Sequence, residues 1–206
     1  MPNIPTAQST IFFCCDLQSG FKSSIYGYDQ VVATANKMVK LAKVLDIEVV
    51  STTQYAKVFG GIDAGVDLDL LGPLKIPTID KTLFSMVTDE VKAILEARPH
   101  VEHVVIFGIE GQICVLQTTL SLLSLPKKYT PYIIADGVSS SSTFELPILF
   151  DRLRQEGAVV TTSESLGFQL VGTSANPKFK AFSAFVKETK AATTRAGEVL
   201  LLGKSV

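Results

Sequence analysis

Residues 103–119, HVVIFGIEGQICVLQTT, contain the features that decide the fold: a buried strand, a turn with two glycines and the start of a helix. The first six residues are mostly apolar and β-favouring, which is typical of a strand covered on both faces. Four other segments share this composition, at residues 10–15, 47–53, 132–135 and 158–161. Together these segments predict five short, buried strands.

Stretches with helical periodicity separate these strands. The clearest follows Asp29, a residue suited to a helix N-terminus, and places apolar side chains on one face from Val31 to Leu45. Further helices are predicted at residues 88–98, from Gln112 onward, at 143–156, at 163–171 and from 176. Strands that alternate with helices form parallel sheets with helices on both faces. We therefore predict an α/β fold, a three-layer α/β/α sandwich with a central parallel sheet.

The composition predicts one domain and gives no electrostatic reason to expect a polyanionic partner. The chain has 206 residues, of which 47% are hydrophobic, enough for a single core, so we treat residues 1–206 as one domain with a weakly patterned tail from about residue 191. Lysine and arginine number 19 against 20 acidic residues, a net charge of −1. Nucleic acid is therefore not an expected partner.

The cysteines and the N-terminal residues predict a cytoplasmic protein. Three cysteines, two of them adjacent, make a poor disulfide framework, which favours reduced thiols. The apolar run IFFCC is far too short to cross a membrane, so no membrane partner is expected. A mitochondrial association would leave no obvious trace in this sequence.

Three reactive side chains are predicted at the carboxyl ends of strands, where parallel sheets bind ligands. Asp16 follows the first strand, Lys81 follows the short apolar step IPTID, and Cys114 follows the strand at residues 103–108. The N-terminal end of a helix favours a thiolate, a carboxylate can accept the thiol proton, and a lysine stabilises the negative charge. Backbone N–H groups of the cysteine turn could then form an oxyanion hole.

Each of these residues also has a structural interpretation. A cysteine in an apolar segment can be a small core residue, as we predict for Cys14 and Cys15, and Asp16 could cap a turn while Lys81 could be a solvated charge. No cofactor is predicted, because Gly108 and Gly111 do not form a dinucleotide motif and no His, Asp or Cys spacing suits a metal. The shared position at strand ends favours a site.

Several motifs resemble the isochorismatase-like cysteine hydrolases, and among them the eukaryotic isochorismatase domain-containing subgroup. CDLQSGF resembles the aspartate segment of this family, DKTLFSM the lysine segment and GIEGQICVLQTT the cysteine turn, while SESLGFQLVG and NPKFK resemble the C-terminal signature of the subgroup. The resemblance implies a catalytic triad in which Cys114 attacks a carbonyl, Asp16 acts as base and then acid, and Lys81 stabilises charge. It also implies a cis peptide bond between Ile109 and Glu110.

The family resemblance also limits the activity. Nicotinamidase relatives hold a metal through Asp and His after the second strand, whereas this chain has TTQY at residues 52–55, so no metal is expected. True isochorismatases generally lack the cysteine that this chain keeps, so isochorismate is not the expected substrate.

Three functions compete at this stage. The first is a metal-independent cysteine hydrolase that cleaves a small amide or related C–N bond through a thioester. The second is a catalytically weak, oligomeric scaffold or binding protein, and the third is nucleic-acid processing, such as ribonuclease activity. For the first we expect a small-molecule substrate, a homo-oligomer, an oxyanion turn and a substrate pocket. The predicted turn residues are Ile109, Glu110 and Ile113, and the predicted pocket residues are Gln18, Phe21, Gln54, Tyr55 and Phe84.

Overall fold

The computed structural model describes residues 4–205. Its strands form one sheet in which every neighbouring pair is parallel, in the order β3-β2-β1-β4-β5-β6. The strands are β1 (Thr10–Cys15), β2 (Val49–Gln54), β3 (Ile79–Lys81), β4 (His103–Gly108), β5 (Thr130–Val138) and β6 (Val159–Thr161). The predicted parallel sheet is confirmed.

The direction of chain progression through the sheet reverses between β1 and β4. β1 pairs with β2 on one side, where Phe12 aligns with Val49, and with β4 on the other, where Cys15 aligns with Gly108. In a doubly wound sheet the ligand crevice lies at this switch point, outside the carboxyl ends of the two strands. The fold therefore places the residues that follow β1 and β4 side by side.

Helices cover both faces of the sheet. They are α1 (Tyr28–Leu45), α2 (Ala56–Phe59), α3 (Asp89–Glu96), α4 (Leu116–Ser124), α5 (Glu145–Gln155), α6 (Ser163–Val171) and α7 (Phe179–Leu200). Phe12 and Cys14 join a core formed with α1, α6 and α7, whereas Phe13 and Cys15 join a core formed with α3, α4 and α5. Successive strand residues thus face opposite layers, and the three-layer sandwich is confirmed.

The sequence predicted five strands, and the sixth, β3, was missed. It has only three residues at the sheet edge, and its Asp80 side chain is exposed, so it carries no continuous apolar run. The aperiodic segment at residues 58–77 also contains a 3₁₀ helix at Leu68–Leu74, interrupted at Gly72, where φ is 57°. Buried Leu68 and Leu71 anchor this segment to the core beside α1.

The tail from about residue 191, which is weakly patterned in the sequence, begins within the last helix. α7 continues to Leu200, because Ala196, Val199 and Leu200 are buried in the α1 core and hold the last turns of the helix against the domain. The apolar side chains of Leu201 and Leu202 that follow are exposed. None of the helices within residues 4–205 is long and apolar enough to cross a membrane.

Candidate active site

Asp16, Lys81 and Cys114 converge at the switch point of the sheet. Asp16 follows β1 directly, Lys81 is the last residue of β3, and Cys114 lies in a π-helical turn, Gly111–Val115, that connects β4 to α4. Asp16 and Cys114 line the same cavity of about 150 Å³. The structure therefore brings together the three residues that the sequence placed at separate strand ends.

Asp16 and Lys81 form a buried ion pair. Lys81 Nζ donates to Asp16 Oδ2 at 2.7 Å, and the two side chains are 0% and 2% exposed. Lys81 Nζ also donates to Gln54 Oε1 at 2.7 Å and to the carbonyls of Leu83 and Phe84 at 3.2 and 3.1 Å. Because charges buried this deeply are costly when unpaired, these bonds hold both groups in one arrangement.

Thr52 completes the surroundings of the Asp16 carboxylate. Its hydroxyl donates to Asp16 Oδ1 at 2.7 Å from the neighbouring strand β2. Both carboxylate oxygens therefore accept bonds, one from the lysine and one from the threonine. The sequence contained Thr52 within a predicted strand, but nothing in the local pattern indicated which strand residue would face Asp16.

Three non-glycine residues at the site have left-handed backbone conformations. Asp16, Tyr55 and Glu110 have φ angles of 51°, 45° and 54°, and they follow β1, β2 and β4 respectively. Each such residue costs on the order of 1–3 kcal/mol and persists only where the surrounding structure holds it. Strained backbone of this kind is concentrated at functional sites, which supports a functional role for this edge of the sheet.

Gly108 allows the cysteine turn to pass close to β1. Its φ is 137°, and a Cβ atom at this position would lie 2.1 Å from the Cys15 carbonyl oxygen. After this point the Glu110 carbonyl accepts from the N–H groups of Ile113, Cys114 and Val115 at 3.0, 2.9 and 3.3 Å. The resulting π-helical turn is a feature often found at functional sites, and here it directs Cys114 into the cavity.

The predicted cis peptide bond between Ile109 and Glu110 is wrong, since residues 4–205 contain no cis peptide. The chain instead reverses through the left-handed conformation of Glu110, with φ 54° and ψ 62°, and this allows the Gly111 N–H to donate to the Ser139 carbonyl at 3.0 Å. This outcome counts against the part of the family interpretation that concerned the turn.

The N–H groups of two predicted oxyanion residues already have partners. Ile109 N–H donates to the Cys15 carbonyl at 3.1 Å and Ile113 N–H to the Glu110 carbonyl at 3.0 Å. Neither group is free to bind a substrate oxygen in this conformation. Ile109, Glu110 and Ile113 all line the cavity.

The cavity walls are mainly apolar. Phe21, Phe59, Phe84, Ile109 and Ile113 surround Asp16, Gln54, Glu110 and Cys114. The rings of Phe21 and Phe59 are stacked, with centroids 4.5 Å apart and planes 23° apart. A cavity of about 150 Å³ matches the engineered apolar cavity of roughly this size that holds benzene in another protein. The site thus suits a small ligand with one apolar group.

Two predicted pocket residues do not line this cavity. Gln18 is buried and bonds backbone groups instead, donating to the carbonyls of Gln54 and Gly60 at 3.2 and 2.6 Å and accepting from Gln54 N–H at 2.6 Å. It braces the end of β2 against the loop that follows. The Tyr55 side chain is 45% exposed. Phe59 contributes a wall that the sequence did not indicate, because it lies at the end of the short helix α2 beside an aperiodic segment.

Cys15 is a fourth residue in contact with the site. It was predicted to be a core residue, and it is fully buried, but its thiol donates to Asp16 Oδ2 at 3.6 Å and it shares a core cluster with Cys114. The neighbouring Cys114, burial and the Asp16 charge raise the pKa of Cys15 well above its usual range. Burial raises the pKa of Cys14, on the opposite face, to about 12.

A second and larger cavity lies elsewhere on the surface, and size alone would have favoured it as the binding site. A groove of about 610 Å³ lies between α5 and the end of α7, lined by residues that include Tyr26, Phe150 and Leu201. Its lining has no thiol or carboxylate. Within the described part of the chain, no cluster of three or more His, Cys, Asp or Glu side chains could hold a metal ion.

Fold and site together define the class of protein: a doubly wound α/β/α protein with an aspartate, a lysine and a cysteine at its topological switch point. The chain belongs to the isochorismatase family, because the family's sequence model, an isochorismatase domain, matches residues 10–165. This agrees with the resemblance of its motifs and with the isochorismatase hydrolase fold.

Individual relatives support this assignment. The chain is 36% identical over 179 residues to isochorismatase domain-containing protein 1 of Salmo salar, covering 87% of this chain but only 61% of that longer protein. It is 37% identical over 181 residues to the secreted isochorismatase effector Isc1 of Phytophthora sojae, with 87% and 85% coverage. The MAR1 ribonuclease structure from Caenorhabditis elegans is 33% identical, with a TM-score of 0.83 and 89% and 92% coverage.

Proposed function

We propose that this protein is a metal-independent cysteine hydrolase that cleaves a small amide or related C–N bond, with Cys114 as the nucleophile of an Asp16, Lys81 and Cys114 triad. One observation carries the proposal. Cys114 and Asp16 line the same small cavity, and Asp16 forms an ion pair with the buried Lys81. A thiol and a fixed carboxylate facing one ligand are the arrangement that nucleophilic catalysis needs.

In this mechanism Asp16 accepts the Cys114 proton while the sulfur attacks the substrate carbonyl carbon. The C–N bond then breaks, Asp16 returns the proton to the leaving nitrogen, and a thioester remains on Cys114. Water, deprotonated by Asp16, attacks the thioester, the C–S bond breaks and the acid product leaves, and Asp16 returns the proton to the Cys114 sulfur. The turn N–H groups of Ile109 and Ile113 are engaged. The N-terminal end of α4 and the positive charge of Lys81, which acts without a direct hydrogen bond to the substrate, stabilise the negative charge of the tetrahedral intermediate.

The charges around the cavity favour a neutral substrate. The charged groups in its lining are the carboxylates of Asp16 and Glu110. The Lys81 ammonium lies behind Asp16 and donates hydrogen bonds to four protein oxygens, so it is not available to bind a substrate carboxylate. An anion such as isochorismate would lose its hydration on entering the cavity and would find no cationic side chain there to pair with. We therefore propose a substrate with a neutral acyl group of about the size of a benzene ring.

Substitution of the nucleophile tests this proposal. Hydrolysis of a panel of small neutral amides and activated esters should fall by at least about 10³-fold in Cys114→Ala, because the other side chains that line the cavity include no thiol, hydroxyl or amine. Cys14→Ala is the matched control, since Cys14 is buried on the other face of the sheet, and it should keep the wild-type rate. A Cys114→Ala protein that still hydrolyses these compounds would exclude the mechanism.

Ribonuclease activity is the second candidate, because the similar Caenorhabditis elegans structure carries that name. The apolar cavity, the Glu110 carboxylate and the net charge of −1 do not favour a polyanionic substrate. Degradation of a labelled single-stranded RNA should therefore be absent from highly purified protein. RNA cleavage that is lost in Cys114→Ala would replace our first proposal with this one.

We also propose a cytoplasmic homo-oligomer. Phe144, Ile148 and Leu202 are 70%, 63% and 71% exposed, and their neighbours line the large groove between α5 and α7. Exposed apolar groups of this density are typical of contacts between subunits, which would also suit a scaffold role. Light scattering measures the mass in solution, and a monomer would exclude the oligomer. Cell fractionation tests the cytoplasmic location. One relative differs in this respect, since it is named as a secreted protein.

A further inference from the structure

The second cysteine at the site has no part in the proposed hydrolysis. Cys15 is fully buried, it shares a core cluster with Cys114, and its thiol donates to Asp16 Oδ2 at 3.6 Å. Cys114 is 5% exposed and faces the cavity. Two free thiols that neighbour the same carboxylate, one of them reached through a cavity, are the components of an internal disulfide.

Two backbone segments, the end of β1 and the turn after β4, position these two cysteines. Cys15 is the last residue of β1 and aligns with Gly108 of β4, and its carbonyl accepts from Ile109 N–H at 3.1 Å. The chain then turns back through Glu110, and Cys114 N–H donates to the Glu110 carbonyl at 2.9 Å. Both cysteine side chains belong to the same core cluster, whereas Cys14 faces the opposite one.

We propose that Cys15 is a resolving cysteine, which forms a reversible disulfide with Cys114 after a hydroperoxide oxidises the Cys114 thiolate. This inference rests on the proposed reactivity of Cys114. In the first step the thiolate attacks the peroxide oxygen, so that Cys114 becomes a sulfenic acid and an alkoxide or hydroxide leaves. In the second step the Cys15 sulfur attacks the Cys114 sulfur and water is released. A dithiol reductant returns both thiols.

Asp16 is positioned to make the second step possible. The pKa of Cys15 is raised, so it is a neutral thiol and must lose its proton as it attacks. Asp16 Oδ2, at 3.6 Å from that sulfur, is the acceptor within reach, and it can pass the proton to the departing hydroxide. The same carboxylate would therefore serve hydrolysis and disulfide formation.

The cavity explains why the oxidant reacts first with Cys114 and not with Cys15. Its volume of about 150 Å³ admits hydrogen peroxide, which can reach Cys114 but not the fully buried Cys15. Oxidation of Cys114 beyond the sulfenic acid is irreversible without a dedicated repair enzyme, and a neighbouring thiol prevents it by forming a disulfide first. The proposed bond thus protects the nucleophile and switches off hydrolysis while the oxidant lasts.

Peptide mapping under non-reducing conditions tests the proposal with three proteins. After hydrogen peroxide treatment, the wild type should contain a peptide that links the segment of residues 14 and 15 to that of Cys114, and dithiothreitol should restore its Cys114 thiol. Cys14→Ala should behave identically, which assigns the bond to Cys15 rather than to its neighbour. Cys15→Ala should form no link and should recover roughly tenfold less thiol, with sulfinic acid at Cys114.

The outcomes separate this inference from the proposed function. Alkylation of Cys114 before peroxide treatment tests whether the thiol is reactive, and no alkylation would contradict the hydrolase mechanism itself. A reactive Cys114 that forms no link to Cys15, or that recovers equally in wild type and Cys15→Ala, would overturn the disulfide alone. Cys15→Ser serves as a second variant of similar volume if Cys15→Ala does not fold.

Discussion

Removal of Lys81 should show how much of the stability of this fold depends on its site. Lys81→Met keeps most of the side-chain length but leaves the Asp16 carboxylate, 2% exposed, without its cation. It also removes the donor to Gln54 Oε1 and to the carbonyls of Leu83 and Phe84. Because breaking a buried ion pair costs roughly 3–5 kcal/mol, the free energy of unfolding should fall by about that amount.

A double-mutant cycle makes this estimate specific to the pair. Asp16→Asn alone should also be strongly destabilising, because it leaves the Lys81 ammonium unpaired, but the double variant should lose clearly less than the sum, by about 2 kcal/mol or more. Urea unfolding followed by circular dichroism measures all four proteins, and constant m-values are needed for the comparison. Lys92→Met removes the exposed pair with Asp89 and should have no measurable effect. Additive losses, or a Lys81→Met protein as stable as Lys92→Met, would refute the reasoning.

Three further predictions concern packing and charge. Gly108→Ala should destabilise the protein severely by thermal unfolding, because its Cβ would meet backbone at 2.1 Å, while Gly197→Ala, in open space on α7, should be neutral or stabilising. Lys37→Met should raise the free energy of unfolding by about 1–3 kcal/mol, since Lys37 Nζ is buried without a partner. Burial lowers the pKa of Lys37 below 10.5. At pH values between the lowered pKa of the folded protein and 10.5, Lys37 is protonated in the unfolded chain but neutral in the folded one, so the wild type gains stability as pH rises. The stability gain of Lys37→Met over the wild type should therefore be largest below this pH range and shrink as pH rises through it. Phe59→Ala should lower kcat/KM for neutral substrates by roughly tenfold, because it opens one cavity wall.

The main strands were predictable because physical constraints on them are local. A strand buried on both faces, such as β1 or β4, must be apolar throughout, and that run is visible in a single sequence. β3 was not predicted because it has only three residues at the sheet edge, where an exposed Asp80 is tolerated, so the strand shows no apolar run. Lys81 was nevertheless placed at a strand end, since the apolar step before it marked the position.

The parts of the site that could not be predicted depend on tertiary contacts. Cys15 and Cys14 are adjacent and equally apolar in the sequence, and only the layer that each one faces puts Cys15 beside Cys114. Phe59 reaches the cavity from the segment after β2, whose path follows from the bonds of Gln18 to the carbonyls of Gln54 and Gly60. The wrong expectation for the peptide bond at Glu110 came from the family resemblance rather than from the residues themselves.

Detection of an acyl group on Cys114 tests the central claim most directly. The protein is mixed with a small neutral thioester or nitrophenyl ester, quenched in acid within the first turnovers and digested for mass spectrometry. We predict the acyl mass on the Cys114 peptide, its absence from the peptide that contains Cys14 and Cys15, and its loss in Cys114→Ala. Hydrolysis that proceeds at the same rate in Cys114→Ala, with no acyl group on Cys114 in the wild type, would contradict the account.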